Sequence, residues 1–184
     1  MTTFQSTVEL AARIHVFIFL SLYGTGKIMG GQFYRKGALP PEIAEQTLAE
    51  VSSFDLAWTF MGHSFAYICW IGGFQILGAC CLLFERTKYI GIAILMPILF
   101  NIILFDAIFF DTEPLGALAS AVIYFLLLML ILWLNGEKTK TLLQLLIQSM
   151  TPSQKTPKTR LPIALGLVAI LFFMEQCLVR WLGI

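Results

Sequence analysis

Two stretches of this sequence, Met61–Phe84 and Pro114–Gly136, contain no charged residue at all. Each exceeds the roughly 20 apolar residues that a helix needs to cross a hydrocarbon core about 30 Å thick. A third, Tyr89–Phe105, is also uncharged and reaches that length once Asp106 and the aromatic tail through Phe110 are added. Two more are less pure: Ile14–Gly31 carries Lys27, and Leu161–Leu182 carries Glu175 and Arg180. Charged residues make up 12% of the chain and hydrophobic ones 58%, against about 25% charged in soluble domains. So much apolar surface has no place to hide from water in 184 residues. The expected fold is all-α, a polytopic membrane helix bundle: a four-helix core with an outer loop at 31–58, a basic connector at 137–160, and a fifth transmembrane helix at 161–184.

The connections differ in character. Gly31–Trp58 is polar, and Pro40-Pro41 opens an expected short helix, Glu42–Val51. Glu85–Lys88 is a tight turn and Asp111–Pro114 an acidic one. In the basic connector, Thr141–Met150 pairs leucines with glutamines and suits the headgroup plane, with Pro152 and Pro157 breaking any helix beyond. Lys and Arg collect on the cytoplasmic side of a membrane. With the N-terminus inside, Arg13, Arg86, Lys88, Lys138, Lys140, Lys155, Lys158 and Arg160 fall on that side, and Lys27, Arg35, Lys36 and Arg180 on the other. The expectation is a cytoplasmic N-terminus and an outward C-terminus. The first span reads as a retained helix, since Gly24-Thr25-Gly26-Lys27 is not a small-residue cleavage site.

Ionisable groups inside a membrane are costly and face the protein interior, so each is a candidate site. At about 1.5 Å per residue, Lys27 lies about 21 Å beyond Arg13, Asp106 about 27 Å beyond Lys88 and Glu175 about 22 Å beyond Arg160. With His63, at the start of the second span, they form one layer in the outer third of the membrane. Tyr67 and Trp70 share a helix face with His63. Gly116, Ser120 and Tyr124 make a polar stripe on the fourth span, and Tyr23 sits a turn before Lys27. Asn101 and Gln75 lie nearer the middle, and Pro97 frees a backbone carbonyl one turn earlier. The candidate ligand-binding residues are therefore Lys27, His63, Tyr67, Asn101, Asp106, Tyr124 and Glu175, with Lys27–Asp106 and His63–Glu175 the pairings to test. The bland alternatives are that Lys27 snorkels to the headgroups, that Asp106 marks a helix end, and that any pairs are structural glue.

Small residues at four-residue spacing, Gly26 with Gly30 and Gly62 with Ala66, and Gly73 a heptad on, predict close contact between the first two spans. Other chemistries find little support. The four cysteines form no C-x-x-C, and adjacent Cys80 and Cys81 read as small buried residues. His15 and His63 fall near opposite leaflets, so neither a shared metal ion nor a two-histidine haem is expected. Gly24-Thr25-Gly26-Lys27 lacks the spacing of a phosphate loop. A formal net charge of +1 suggests no nucleic-acid partner.

Arg13 opening a helix that ends Gly24-Thr25-Gly26-Lys27, then Gly72-Gly73-Phe74-Gln75-Ile76-Leu77-Gly78, Leu82-Leu83, Arg86-Thr87 and Gly91, resembles the DoxX-like family of small membrane proteins over Arg13–Asp111. Gln75 stands where that family usually has glutamate, so a role resting on that carboxylate does not carry over. The resemblance implies a four-helix bundle in the bacterial cytoplasmic (inner) membrane, here with a fifth helix added. It also implies a redox-associated subunit that meets quinone and other membrane or redox subunits. Two alternatives stand beside it: a carrier or binding protein for a small or lipid-like ligand, and an assembly or scaffold protein.

Overall fold

In a computed structural model, residues 2–109, 115–150 and 160–182 are described, and the acidic turn at 111–114, Pro152 and Pro157 lie outside them. Eight helices follow in chain order: α1 Thr3–Met29, α2 Pro41–Ala44, α3 Ser53–Gly62, α4 Phe65–Leu83, α5 Lys88–Phe109, α6 Leu115–Leu134, α7 Gly136–Met150 and α8 Arg160–Leu182. No strand occurs among the described residues. Four helices, α1, α4, α5 and α6, are long and apolar enough to cross a membrane.

Met1–Thr139 forms one compact unit. Within it, α1 packs against α4, α4 against α5, α5 against α6, and α6 back on α1, closing a four-helix ring. Val16, Leu20, Leu82, Leu95, Leu99, Leu128 and Ile131 fill its centre. The outside is equally apolar: Ile14, Ile18 and Leu22 stand exposed along one face of α1, as do Leu126, Met129 and Trp133 on α6. Apolar side chains facing outward around buried charges are the arrangement a lipid solvent selects.

The first span begins earlier than expected. Thr2 and Gln5 form a reciprocal capping box that starts α1 eleven residues before Ile14. At about 40 Å, α1 outruns the hydrocarbon core by roughly 10 Å. Gly30 ends it in the left-handed conformation at φ 94°, which glycine adopts without strain. The expected second span is two helices. Ser52 caps α3, and Ser64 accepts a hydrogen bond from Tyr67 N–H to start α4 anew. The short helix expected at Glu42–Val51 is only Pro41–Ala44, with turns after it.

The first two spans do approach closely, but through other glycines than expected. A Cβ on Gly24 would stand 2.7 Å from Gly72 O, and one on Gly72 2.7 Å from Gly24 O, so the α1 and α4 backbones touch there. Gly26 and Gly73 face open space and Ala66 is exposed, so they carry none of this contact. Gly62 does permit a close approach, to the Tyr34 backbone of the loop, while Gly30 serves as the cap. A four-residue spacing identifies a small-residue face only when the helix phase is known, and the packed phase runs through Gly24.

The second unit, Lys140–Ile184, holds most of α7 and all of α8. Leu142, Leu143 and Leu145 are exposed on α7. In α8 the apolar stretch among the described residues is Pro162–Cys177, shorter than α1, α4, α5 or α6.

Candidate functional site

Ionisable groups gather at two levels of the four-helix unit. At one end, α1 supplies Glu9 and Arg13, the α4–α5 turn Glu85, the start of α5 Lys88, and the end of α6 Asn135. Lys88 Nζ donates to Glu9 Oε1 at 2.7 Å and to Asn135 Oδ1 at 2.9 Å, and stands 2.9 Å from Glu85 Oε2. Arg13 donates from Nε to Leu82 O and from an Nη to Leu83 O, each at 2.5 Å, and forms an ion pair with Glu85. Those two carbonyls belong to the last turn of α4, which has no intrahelical donors left for them. Glu9, Arg13 and Lys88 are each at most 4% exposed, whereas Glu85 is half out of the protein. Lys88 and, less strongly, Arg13 hold the Glu85 carboxyl below its ordinary range. Two acids and two bases cancel, and the cluster joins all four helices. Sequence reasoning treated Arg13 and Lys88 as headgroup-facing flanks. The signal it passed over was spacing: Glu9 and Arg13 four apart on one helix, Glu85 and Lys88 three apart across a turn.

At the other level, about 21 Å along α1 from Arg13, lies a cavity of about 410 Å³. Lys27 of α1 and Asp106 of α5 both line it, 5% and 7% exposed. Tyr67, Asn101 and Tyr124 line it as well, with Tyr23, Gln75, Pro97 and Ser120. The loop after α1 contributes Gln32 and Phe33, and α3 contributes Trp58 and Met61. Phe33 meets Trp58 edge-on at 5.3 Å, and Phe54 stacks on Trp58 at 4.4 Å, so aromatic rings of the loop and α3 form part of the cavity wall. The sequence marked that loop as polar and gave no sign that it turns aromatic side chains inward.

Lys27 does not snorkel. Its ammonium lies 5.8 Å from the Tyr23 ring centroid, a cation–π distance. Lys27 and Asp106 feel each other's charge without forming a direct ion pair, and neither side chain makes a hydrogen bond among the described residues. Tyr124 is buried and contacts Tyr23 and Ser120 through its hydroxyl, while Ser120 Oγ donates to Gly116 O at 2.8 Å. Gln75 is 1% exposed, and its Oε1 has no hydrogen-bond partner among the described residues.

One expected site residue does not line the cavity, and another belongs to the second unit. His63 is exposed in the break between α3 and α4 and does not line the cavity, because α4 begins only at Phe65. The face expected to carry His63, Tyr67 and Trp70 therefore splits, with Trp70 outside and stacked on Phe74. Glu175 stands on α8, in the second unit. The cysteines are all free, and among the described residues no group of His, Cys, Asp or Glu could hold a metal ion.

The outward apolar faces, the inward charges and the four long helices define an integral membrane protein of the helical-bundle class. The chain is 32% identical over 134 residues to the uncharacterized protein YwoB of Bacillus subtilis (strain 168), an alignment covering 73% of this chain and 80% of YwoB. It belongs to the YwoB family. No protein-family model and no solved structure matches it.

Proposed function

We propose that this chain is a membrane-embedded small-molecule-binding protein whose ligand occupies the cavity between α1, α4, α5 and α6. One observation carries the reading. Lys27 and Asp106, on separate helices, are buried on the wall of one cavity without contacting each other. A charge left so is costly, and natural bundles keep it where a substrate or ion needs it. A volume near 410 Å³ lies at the small end of ligand pockets, which run from about 300 to 1,000 Å³.

The DoxX-like resemblance narrows this to a redox-associated subunit meeting quinone and other membrane subunits. The cavity matches only half of a quinone. Lys27 and Tyr67 can donate to its two oxygens, but an ionised Asp106 and Gln75 Oε1 accept, and a quinone has nothing to give them. That mismatch favours the carrier or binding-protein reading over redox chemistry. The scaffold reading is supported by the Glu9–Arg13–Glu85–Lys88 cluster, whose bonds tie helices together. The topology proposed with this function puts the N-terminus in the cytoplasm and takes α8 as a fifth span.

Native mass spectrometry of protein extracted with its own lipids tests the reading. A bound small molecule is expected, and Ala117→Phe, which fills the cavity wall, should remove it. A wild-type protein that carries nothing and binds nothing, or an equal load in Ala117→Phe, contradicts it.

A further inference from the structure

We infer that the ligand of this cavity is a zwitterion: an ammonium at one end facing Asp106, and a carboxylate or phosphate at the other facing Lys27. The inference rests on the pocket reading above and names the chemistry of its ligand. The chain pairs buried charges in contact where it needs only structure, as Lys88 and Glu9 do at 2.7 Å. At the cavity it leaves Lys27 and Asp106 without a direct ion pair, although both are buried, at 5% and 7% exposed. Two separated opposite charges define complementary ends for one bound molecule. An anion alone would satisfy Lys27 and face a like charge at Asp106; a cation alone would meet the reverse. A neutral molecule would leave each without a counter-charge in contact.

Gln75 adds an independent observation. Gln75 lines the cavity, and among the described residues its buried Oε1 has no partner, an arrangement that is costly unless a ligand supplies a donor. An ammonium brings three N–H donors, enough for a carboxylate and an amide oxygen together. Zwitterions small enough for a cavity of about 410 Å³ include an amino acid and the headgroup of a zwitterionic lipid. Both present the same two charges.

The experiment uses the full chain in nanodiscs of phosphatidylglycerol alone, a lipid with no ammonium group. Calorimetry compares 4-aminobutyrate and 6-aminohexanoate with butyrate, butylamine and the neutral duroquinone. At least one amino acid should bind tenfold or more tightly than either single ion and than duroquinone. A second arm adds phosphatidylethanolamine. If its headgroup is the source, lipid and amino acid compete, or the lipid alone binds; if the source is a free molecule, the lipid has no effect. Lys27→Met and Asp106→Asn should each weaken binding at least tenfold, and the charge swap Lys27→Asp with Asp106→Lys should restore it. The choice among probes by the wild type needs no variant to fold. Equal or better binding of butyrate, butylamine or duroquinone, abolished by Ala117→Phe, overturns the zwitterion and leaves the pocket standing. Absence of any binding, lipid included, removes both. Zwitterion binding indifferent to Lys27→Met and Asp106→Asn also overturns the inference.

Discussion

Replacing Lys88 by Met tests the ion cluster with the least ambiguity. Lys88 is 1% exposed and fixes Glu9 at 2.7 Å, with Asn135 at 2.9 Å and Glu85 at 2.9 Å. Without it, Glu9 keeps only Arg13, at 3.7 Å, a distance too long for a hydrogen bond. Breaking a buried pair from one side costs about 3–5 kcal/mol, because the remaining charge is stranded. The Glu85 arm adds little, since an exposed pair is worth about 0–1 kcal/mol. Lys88→Met should therefore destabilise the bundle by about 3 kcal/mol, and Glu9→Gln by a similar amount. The double variant should cost far less than their sum, because a neutral pair of that shape strands no charge. Equilibrium unfolding in mixed micelles, run as a double-mutant cycle, reads the coupling, expected at about 2–3 kcal/mol. Additive single effects, within about 0.5 kcal/mol, would refute the reasoning.

Gly24→Ala and Gly72→Ala place a methyl 2.7 Å from backbone oxygen and should each cost about 1–3 kcal/mol, whereas Gly26→Ala and Gly73→Ala should leave thermal stability unchanged or higher. The Glu85 carboxyl is held below its ordinary 4.5, first by its hydrogen bond from Lys88. Its stabilisation is therefore present above that value and lost as pH falls through the lower folded one. Glu85→Gln should flatten the acid limb of a stability–pH curve by less than about 1 kcal/mol, given the exposure of the pair. Gln75→Leu should hold or raise stability, by removing a stranded acceptor, while weakening ligand binding; a fall in stability with binding intact speaks against a ligand-facing amide. A cysteine-reactive, membrane-impermeant reagent applied to intact cells should label a cysteine placed at Gly183 but not one at Thr3, if α8 spans and the N-terminus is cytoplasmic.

The bundle was legible because lipid imposes length and apolarity on each span, and α5 and α6 match the expected spans Tyr89–Phe110 and Pro114–Gly136 to within a residue or two. Helix starts set by side-chain caps were not. The hydroxyl of Ser64 divides an unbroken apolar run, and with it went the expected place of His63. Within the site, Lys27 and Asp106 share a cavity at the depth that helix rise assigns them, since rise per residue is fixed. Glu9 and Lys88 were hidden because a charge at a span end reads the same whether it meets headgroups or a buried partner. The aromatic part of the cavity wall from Phe33 and Trp58 depends on how a loop folds back, which no periodicity encodes.

The central claim is that side chains of α1 and α5 meet in one ligand-sized space. Single cysteines at positions 27, 67, 101 and 106, in a chain with its native cysteines replaced, can be titrated with a charged thiol reagent from each side of sealed vesicles. All four are expected to react from the same side and to be protected together when the cavity is filled through Ala117→Phe. Positions 27 and 106 reacting from opposite sides, or reacting undiminished in the filled variant, would contradict the account.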